Sequence, residues 1–300
     1  MTALPEIGTA RDALLELQNR LIARFEGMDG GQFRRDHWTR PQVAGQFSGD
    51  GRTCILENGE VIERGGVLFS HIMGAKLPPA ASAHRPHLAG SRYEVLGVSV
   101  VIHPRNPFAP TAHMNVRRFS VTPEDGQTVA WVGGGMDLTP HYLFDEDATV
   151  FHCAAQGVSS LHYPTWKHQC DEYFLLKHRC EARGIGGIFF DDYGEPDGLD
   201  IAVKLGNAFL DAYALILERR KDTPFQPSHR DWQLYRRGRY VEFNLVWDRG
   251  TTFGLQSNGR IESILASMPP LAAWQYNREP EAGSDEARLL EVLREPRDWV

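Results

Sequence analysis

Residues 103–119, "HPRNPFAPTAHMNVRRF", set a histidine on each side of a proline-rich loop and follow the second with a polar, alternating run. In an extended strand successive side chains point to opposite faces, so His113, Asn115 and Arg117 share one face and Arg118 points the other way. His103 ends the preceding apolar run, and the loop "PRNPFAP" returns the chain beside it. Imidazole changes charge near neutral pH and also ligates metals; guanidinium suits forked binding of carboxylate or phosphate. The group therefore reads as a metal site, a clamp for an acidic substrate, or a solvated strand face, and spacing leaves all three open.

A second candidate is "WVGGGMDLTP", residues 131–140. Three consecutive glycines give a backbone that something must approach closely. Asp137 follows just after them, past Met136, where a carboxylate reaches a bound ligand, or simply closes a glycine turn. The stretch is not a dinucleotide fingerprint, because position 138 is leucine and no helix clearly follows. His152 and His178 add two further nitrogen donors to His103 and His113. His178 falls near the end of an expected helix, where the helix dipole favours a protonated imidazole. Their spacing is long and irregular, with no H-E-x-x-H pair and no cysteine cluster. Arg236, Arg237, Arg239, Arg249 and Arg260 gather near an expected strand and a glycine turn, as anion anchors or as ordinary interface and surface charge. A nucleophile elbow, a phosphate loop and a Schiff-base lysine context are all missing. These residues describe an enzyme or binder for an anionic small molecule without naming it.

The elements that must position them are legible by period. Leu14, Leu17, Leu21, Ile22 and Phe25 recur at helical spacing within residues 9–27, and the glycines of "GMDGGQF" stop that helix. "TCILENG" and "VIERGGVLFSHI" read as strands. "YEVLGVSVVIH", "HMNVRRFSV" and "TVAWVGGG" are extended runs with short connections, which predicts an antiparallel meander because parallel pairing needs long crossovers. "YPTWKHQCDEYFLLKHRCEARG" reads as a helix, "IGGIFFDD" as a buried strand, "LDIAVKLGNAFLDAYALILERR" as a long helix and "YVEFNLVW" as another strand, with a last helix from about Ser284. Clustered strands with separate helices predict an α+β fold, taken as one domain over residues 1–300.

Composition bounds the partners. Hydrophobic residues are 42% and charged residues 24%, enough for a real core. Lys+Arg of 32 against Asp+Glu of 39 gives a net charge of −7, which argues against a general nucleic-acid binder. No apolar run reaches the roughly 18–20 residues that span a bilayer. "MTALPEIGTARDALLELQNRL" lacks the pattern of a signal peptide, and Cys54, Cys153, Cys170 and Cys180 form no C-x-x-C pair, so a cytoplasmic location with reduced thiols is expected.

Taken together, "FSHIMGAKLPPAASAHRPHLAG", "GVSVVIHPRNPFAPTAHMNVR", "WVGGGMDLTPHY", "YPTWKHQCDEYFLLKHRCEARGIGGIFFDDY" and "RRGRYVEFNLVWDRGTTFGLQSNGRIESILASMPP" resemble the oxygen-dependent coproporphyrinogen-III oxidases, from about residue 10 to the terminal "PRDWV". The resemblance implies a large flat antiparallel sheet sandwiched between layers of helices. It implies oxidative decarboxylation of the ring A and B propionates of coproporphyrinogen III to vinyl groups, giving protoporphyrinogen IX. Dioxygen is the co-substrate, carbon dioxide and hydrogen peroxide leave, and no organic cofactor takes part. His113 matches the proton donor of that family, and Asp137 the acid proposed to engage the pyrrole N–H groups. Ser99, Asn115, Val116, Arg117, Asn258, Gly259 and Arg260 match substrate contacts. His103, His113, His152 and His178 match the positions given to a divalent metal such as manganese. The segment from about Tyr240 to Gln275 resembles a homodimerisation region. Two departures stand out: Arg118 where an aromatic residue is common, and Asn258 where a second glycine is common. Two other readings fit the isolated residues, a four-histidine metal-dependent enzyme of another class such as a hydrolase, and a porphyrin-binding module without catalysis.

Overall fold

The computed structural model describes residues 4, 6–41, 48–77, 85–124, 126–256 and 259–300. Helix α1 (Ile7–Asp29) buries Leu14, Leu17, Leu21, Ile22 and Phe25 along one stripe. It ends where Gly30 takes a left-handed φ of 82° and its N–H donates to the Glu26 carbonyl, a geometry costly for a residue with a Cβ. Strands β1 (Arg34–Arg40), β2 (Ser48–Glu57), β3 (Ile62–Gly74), β4 (Arg92–Pro104), β5 (Thr111–Thr122) and β6 (Val129–Thr139) follow in order. Each pairs antiparallel with the next, as the short connections predict. After helices α2 (Asp145–Val158) and α3 (Tyr163–Tyr173) and the two-residue strands β7 (Leu175–Leu176) and β8 (Glu181–Ala182), strand β9 (Gly186–Tyr193) joins the far edge of β6. The sheet thus has seven antiparallel strands in the order β1-β2-β3-β4-β5-β6-β9.

One face of the sheet is dry. Helix α1 lies on β3 and β4, and helix α4 (Gly198–Arg220) on β5 and β6. Between them Leu17, Val98, Met114, Val116, Phe209 and Tyr213 are fully buried. The opposite face is covered by helices α5 (Pro227–Val246), α6 (Arg249–Gln256) and α7 (Ile261–Ile264), with the turn at 265–267 seated on β3 and β4. Helix α8 (Asp285–Arg294) begins at Ser284, whose hydroxyl accepts from the Ala287 N–H. The fold is α+β, an antiparallel sheet packed against helices.

Three expectations are corrected. The helix expected across residues 163–184 ends at Tyr173, and the rest forms the β7–β8 hairpin, whose turn carries His178. Phe174 and Leu176 leave the helical stripe to pack with Phe189 and Phe243, a gain that outweighs helix continuation. "YVEFNLVW" is not a strand but the second half of α5. Its aromatic and β-branched content suits a strand, yet Trp232, Arg236, Tyr240 and Phe243 are buried at helical spacing, so tertiary packing overrides local preference. Finally, the glycines and Asp137 lie within β6, not in a turn beyond it.

Candidate active site

Strand β5 alternates as its sequence requires: Ala112, Met114 and Val116 point into the core, while His113, Asn115 and Arg117 line a cavity of about 440 Å³ under α5, α6 and α7. Arg118 turns to the other face and donates to the Ser120 hydroxyl at 2.7 Å. Register then completes the wall. Ser99 on β4 stands opposite Asn115, and both line the cavity. Val116 is the exception among the expected contacts: its side chain is 0% exposed on the core face. Gly259 and Arg260 reach the cavity from the segment before α7, and Asn258 lies outside the described residues.

The β5–β6 register sets His113 directly across from Asp137. His113 Nδ1 and Asp137 Oδ1 are 2.7 Å apart, and Arg183 Nη2 donates to Asp137 Oδ2 at 2.7 Å. Arg183 Nη1 donates to Asn244 Oδ1 at 2.8 Å, and its guanidinium lies 4.2 Å from the Phe174 ring centre and 4.6 Å from that of Tyr240. Asp137 and Arg183 side chains are each 2% exposed. Burial pushes the Asp137 carboxyl up, but the charges of Arg183 and His113, with their hydrogen bonds, outweigh it and hold the group below the ordinary carboxylate range. An ionised Asp137 takes its hydrogen bond from Nδ1–H of the imidazole, leaving Nε2 for proton exchange. His113 lines the cavity, whereas both Asp137 oxygens are engaged behind it, so the imidazole and not the carboxylate faces the cavity.

Arginines arm the rest of the wall. Arg117 donates to Asn115 Oδ1 at 2.7 Å and to Asp191, and Arg249 donates to the other oxygen of Asp191 at 2.7 Å. Gly133 makes room for this: a Cβ there would come within 3.1 Å of three atoms of the Arg117 guanidinium. The close approach foreseen over the glycine run is made by the protein's own arginine. Arg260 pairs with Asp36, and Arg85 Nε donates to Asp192 at 2.7 Å while stacking 4.7 Å from Trp131. Arg236 and Arg237 are instead buried in ion pairs with Glu181 and Glu63, which tie α5 to β8 and β3, and Arg239 pairs with Glu242 within α5. Sequence reasoning missed Arg183, Asp191 and Arg85. The acidic end of "GGIFFDDY" is the signal that points to Asp191, since a charged pair closing a buried strand demands partners.

The four histidines each have their own surroundings. His103 is 1% exposed, with Nδ1 3.1 Å from the Thr111 hydroxyl and Nε2 2.9 Å from the Ser267 carbonyl. Burial, with the nearby Arg237 charge, holds it neutral, far below its ordinary pKa. His152 is fully buried, bonded to the Tyr163 hydroxyl at 2.9 Å and the Ile185 carbonyl at 3.0 Å, and burial lowers it to about 4. His178 sits 3.0 Å from Glu242 and accepts from the Trp247 indole at 2.9 Å. With both nitrogens of three of these rings engaged by protein groups, the set does not fit a metal site within one chain. Among the described residues no group of three or more His, Cys, Asp or Glu side chains is arranged to hold a metal ion.

An ionised carboxylate behind an imidazole, on the wall of a cavity carrying arginines, suits proton transfer to a polycarboxylate. A family model described as coproporphyrinogen III oxidase matches residues 9–299. The chain belongs to the coproporphyrinogen III oxidase family, whose reaction is oxidative decarboxylation in haem biosynthesis.

Proposed function

We propose that the arginine-lined cavity binds coproporphyrinogen III and that His113 is the proton donor at its wall. The observation that carries this reading is the connected set His113–Asp137–Arg183, which ends in an imidazole open to the cavity beside Asn115 and Arg117. For each propionate, the carboxylate, one dioxygen and one proton become a vinyl group, carbon dioxide and hydrogen peroxide. The C–C bond to the carboxylate and one C–H bond on the carbon next to the ring both break. The C–C electron pair forms the vinyl double bond, the C–H pair reduces dioxygen, and that hydrogen together with the one proton consumed completes hydrogen peroxide. The step consumes a proton, and general acid catalysis places its donor within hydrogen-bond reach. Asp137 stabilises the imidazolium that delivers the proton, and Arg183 keeps Asp137 ionised and oriented. Ser99, Asn115, Arg117, Gly259 and Arg260 contact the substrate, with the two arginines anchoring propionates. Val116 acts from the core side by holding β5. Asn258 is assigned to the same contact region as Gly259 and Arg260.

Dioxygen is the co-substrate, and no organic cofactor is assigned. Because the four histidines do not fit a shared metal site, no step is routed through a metal. The segment from about Tyr240 to Gln275 is proposed as a homodimer interface, supported by Leu245, Val246, Leu255, Ile261, Leu271 and Trp274, all large apolar side chains at least 46% exposed. A cytoplasmic location is supported by four free cysteines, and among the described residues no helix is long and apolar enough to cross a membrane. The test is aerobic turnover of coproporphyrinogen III by the purified protein, with oxygen uptake, carbon dioxide and product followed together. Protoporphyrinogen IX with matching carbon dioxide is expected. A bound but unchanged tetrapyrrole would overturn the catalytic reading.

A further inference from the structure

The cavity arginines that would anchor propionates already hold carboxylates of the protein. Asp191 is the central case. One of its oxygens accepts from Arg117 and the other from Arg249, so it spans two guanidiniums as a substrate carboxylate would. Neither arginine depends on it for position. Arg117 is fixed by Asn115 Oδ1 at 2.7 Å and lies against the Gly133 backbone. Arg249 stacks 4.7 Å from the Tyr173 ring centre, and its backbone N–H donates to the Tyr173 hydroxyl at 3.2 Å. Both guanidiniums also lie over Phe189, at 5.7 and 5.8 Å. The Asp191 side chain is 27% exposed, compared with 2% for Asp137, so it has room to leave.

We propose that Asp191 is an exchangeable counter-ion, which competes with a substrate propionate for Arg117 and Arg249 and retakes them when the propionate has become a vinyl group. The proposal rests on the assignment of the cavity as the substrate site. Its physical content is charge balance. Two guanidiniums and one carboxylate leave one positive charge, enough to attract a polyanion but not to hold it indefinitely. The reaction removes the carboxyl groups that win the competition. A vinyl group cannot bond a guanidinium, so the aspartate returns and affinity falls as the reaction proceeds. Asp191 on this account moderates the affinity for the tetracarboxylate and neutralises the arginines again once the propionate is gone.

Asp191→Asn keeps the shape and removes the competing charge. Without dioxygen the substrate binds but does not turn over, so its affinity can be measured directly. The variant is expected to bind coproporphyrinogen III on the order of tenfold more tightly than the wild type, and to release protoporphyrinogen IX more slowly. A residue that merely positioned the arginines would give the opposite sign: weaker or unchanged substrate binding by Asp191→Asn overturns the proposal. Arg117→Ala separates the two levels, because undiminished binding by that variant would remove the cavity assignment itself, whatever Asp191 does. Should Asp191→Asn fail to fold, a crystal structure of the anaerobic wild-type complex decides. A substrate carboxylate on Arg117 and Arg249, with Asp191 turned away, supports the exchange; Asp191 still bonded to both overturns it.

Discussion

Replacing Arg183 by alanine strikes a group that connects the buried carboxylate to the helical layer through Asn244. Arg183 Nη2 and Asp137 Oδ2 are 2.7 Å apart, with both side chains 2% exposed. At that separation and an effective dielectric of about 20, the gross attraction is about 6 kcal/mol. Much of it offsets the cost of burying two charges, but removing one partner leaves the other buried alone, which costs about 3–5 kcal/mol. For a chain of 300 residues that corresponds to a fall in Tm of about 5–8 °C. The loss also reaches the chemistry. Burial still pushes the Asp137 carboxyl up, and the largest opposing charge is gone, so Asp137 becomes easier to protonate and His113 loses its ionised partner. Turnover should fall by about 100-fold, the scale of a misplaced general acid. Arg183→Lys keeps the charge but cannot bridge Asp137 and Asn244 as the fork does, and should lie between the two. Thermal melts and steady-state turnover of both variants provide the check. An alanine variant that melts like the wild type and turns over at full rate would refute the assignment of Arg183.

Glu63 bonds Arg230 and Arg237, the latter with a fully buried side chain, so Glu63→Gln should destabilise by about 3–5 kcal/mol in denaturant melts. Burial works to raise the Glu63 carboxyl, yet the hydrogen bond from Arg230 and the Arg237 charge prevail and lower it from its ordinary value of 4.5. Its contribution is therefore present above pH 4.5 and is lost as pH falls below that value, so wild type and Glu63→Gln should converge in stability on acidification. Gly133→Ala places a Cβ 3.1 Å from the Arg117 guanidinium, a flexible group that moves aside. Stability should change by less than about 1 kcal/mol while KM rises several-fold at nearly constant kcat; an unchanged KM would count against Arg117 as an anchor.

Much of the frame was legible because its periods are clean. The stripe of Leu14, Leu17, Leu21 and Phe25 marks α1, and the alternation from Ala112 to Arg117 fixes which side chains of β5 share a face. What escaped the sequence was register and distance. His113 and Asp137 are separated by 24 residues and meet only because β5 and β6 pair antiparallel in this register. Arg183 is a further 46 residues along, just past a hairpin that reads as the tail of a helix. The glycine run announced a close approach, but not that Arg117 would make it. The four histidines show the converse. Residue type alone offers a metal site, and burial with individual hydrogen bonds disperses it.

The most direct measurement compares wild type with His113→Asn in two experiments on the same preparations. Anaerobic titration gives the affinity for coproporphyrinogen III, and admission of oxygen gives the rate of carbon dioxide release. Because His113 delivers the proton and the arginines supply the anchoring, affinity should stay within about threefold while release slows by about 100-fold or more. Carbon dioxide release by His113→Asn at the wild-type rate would contradict the account.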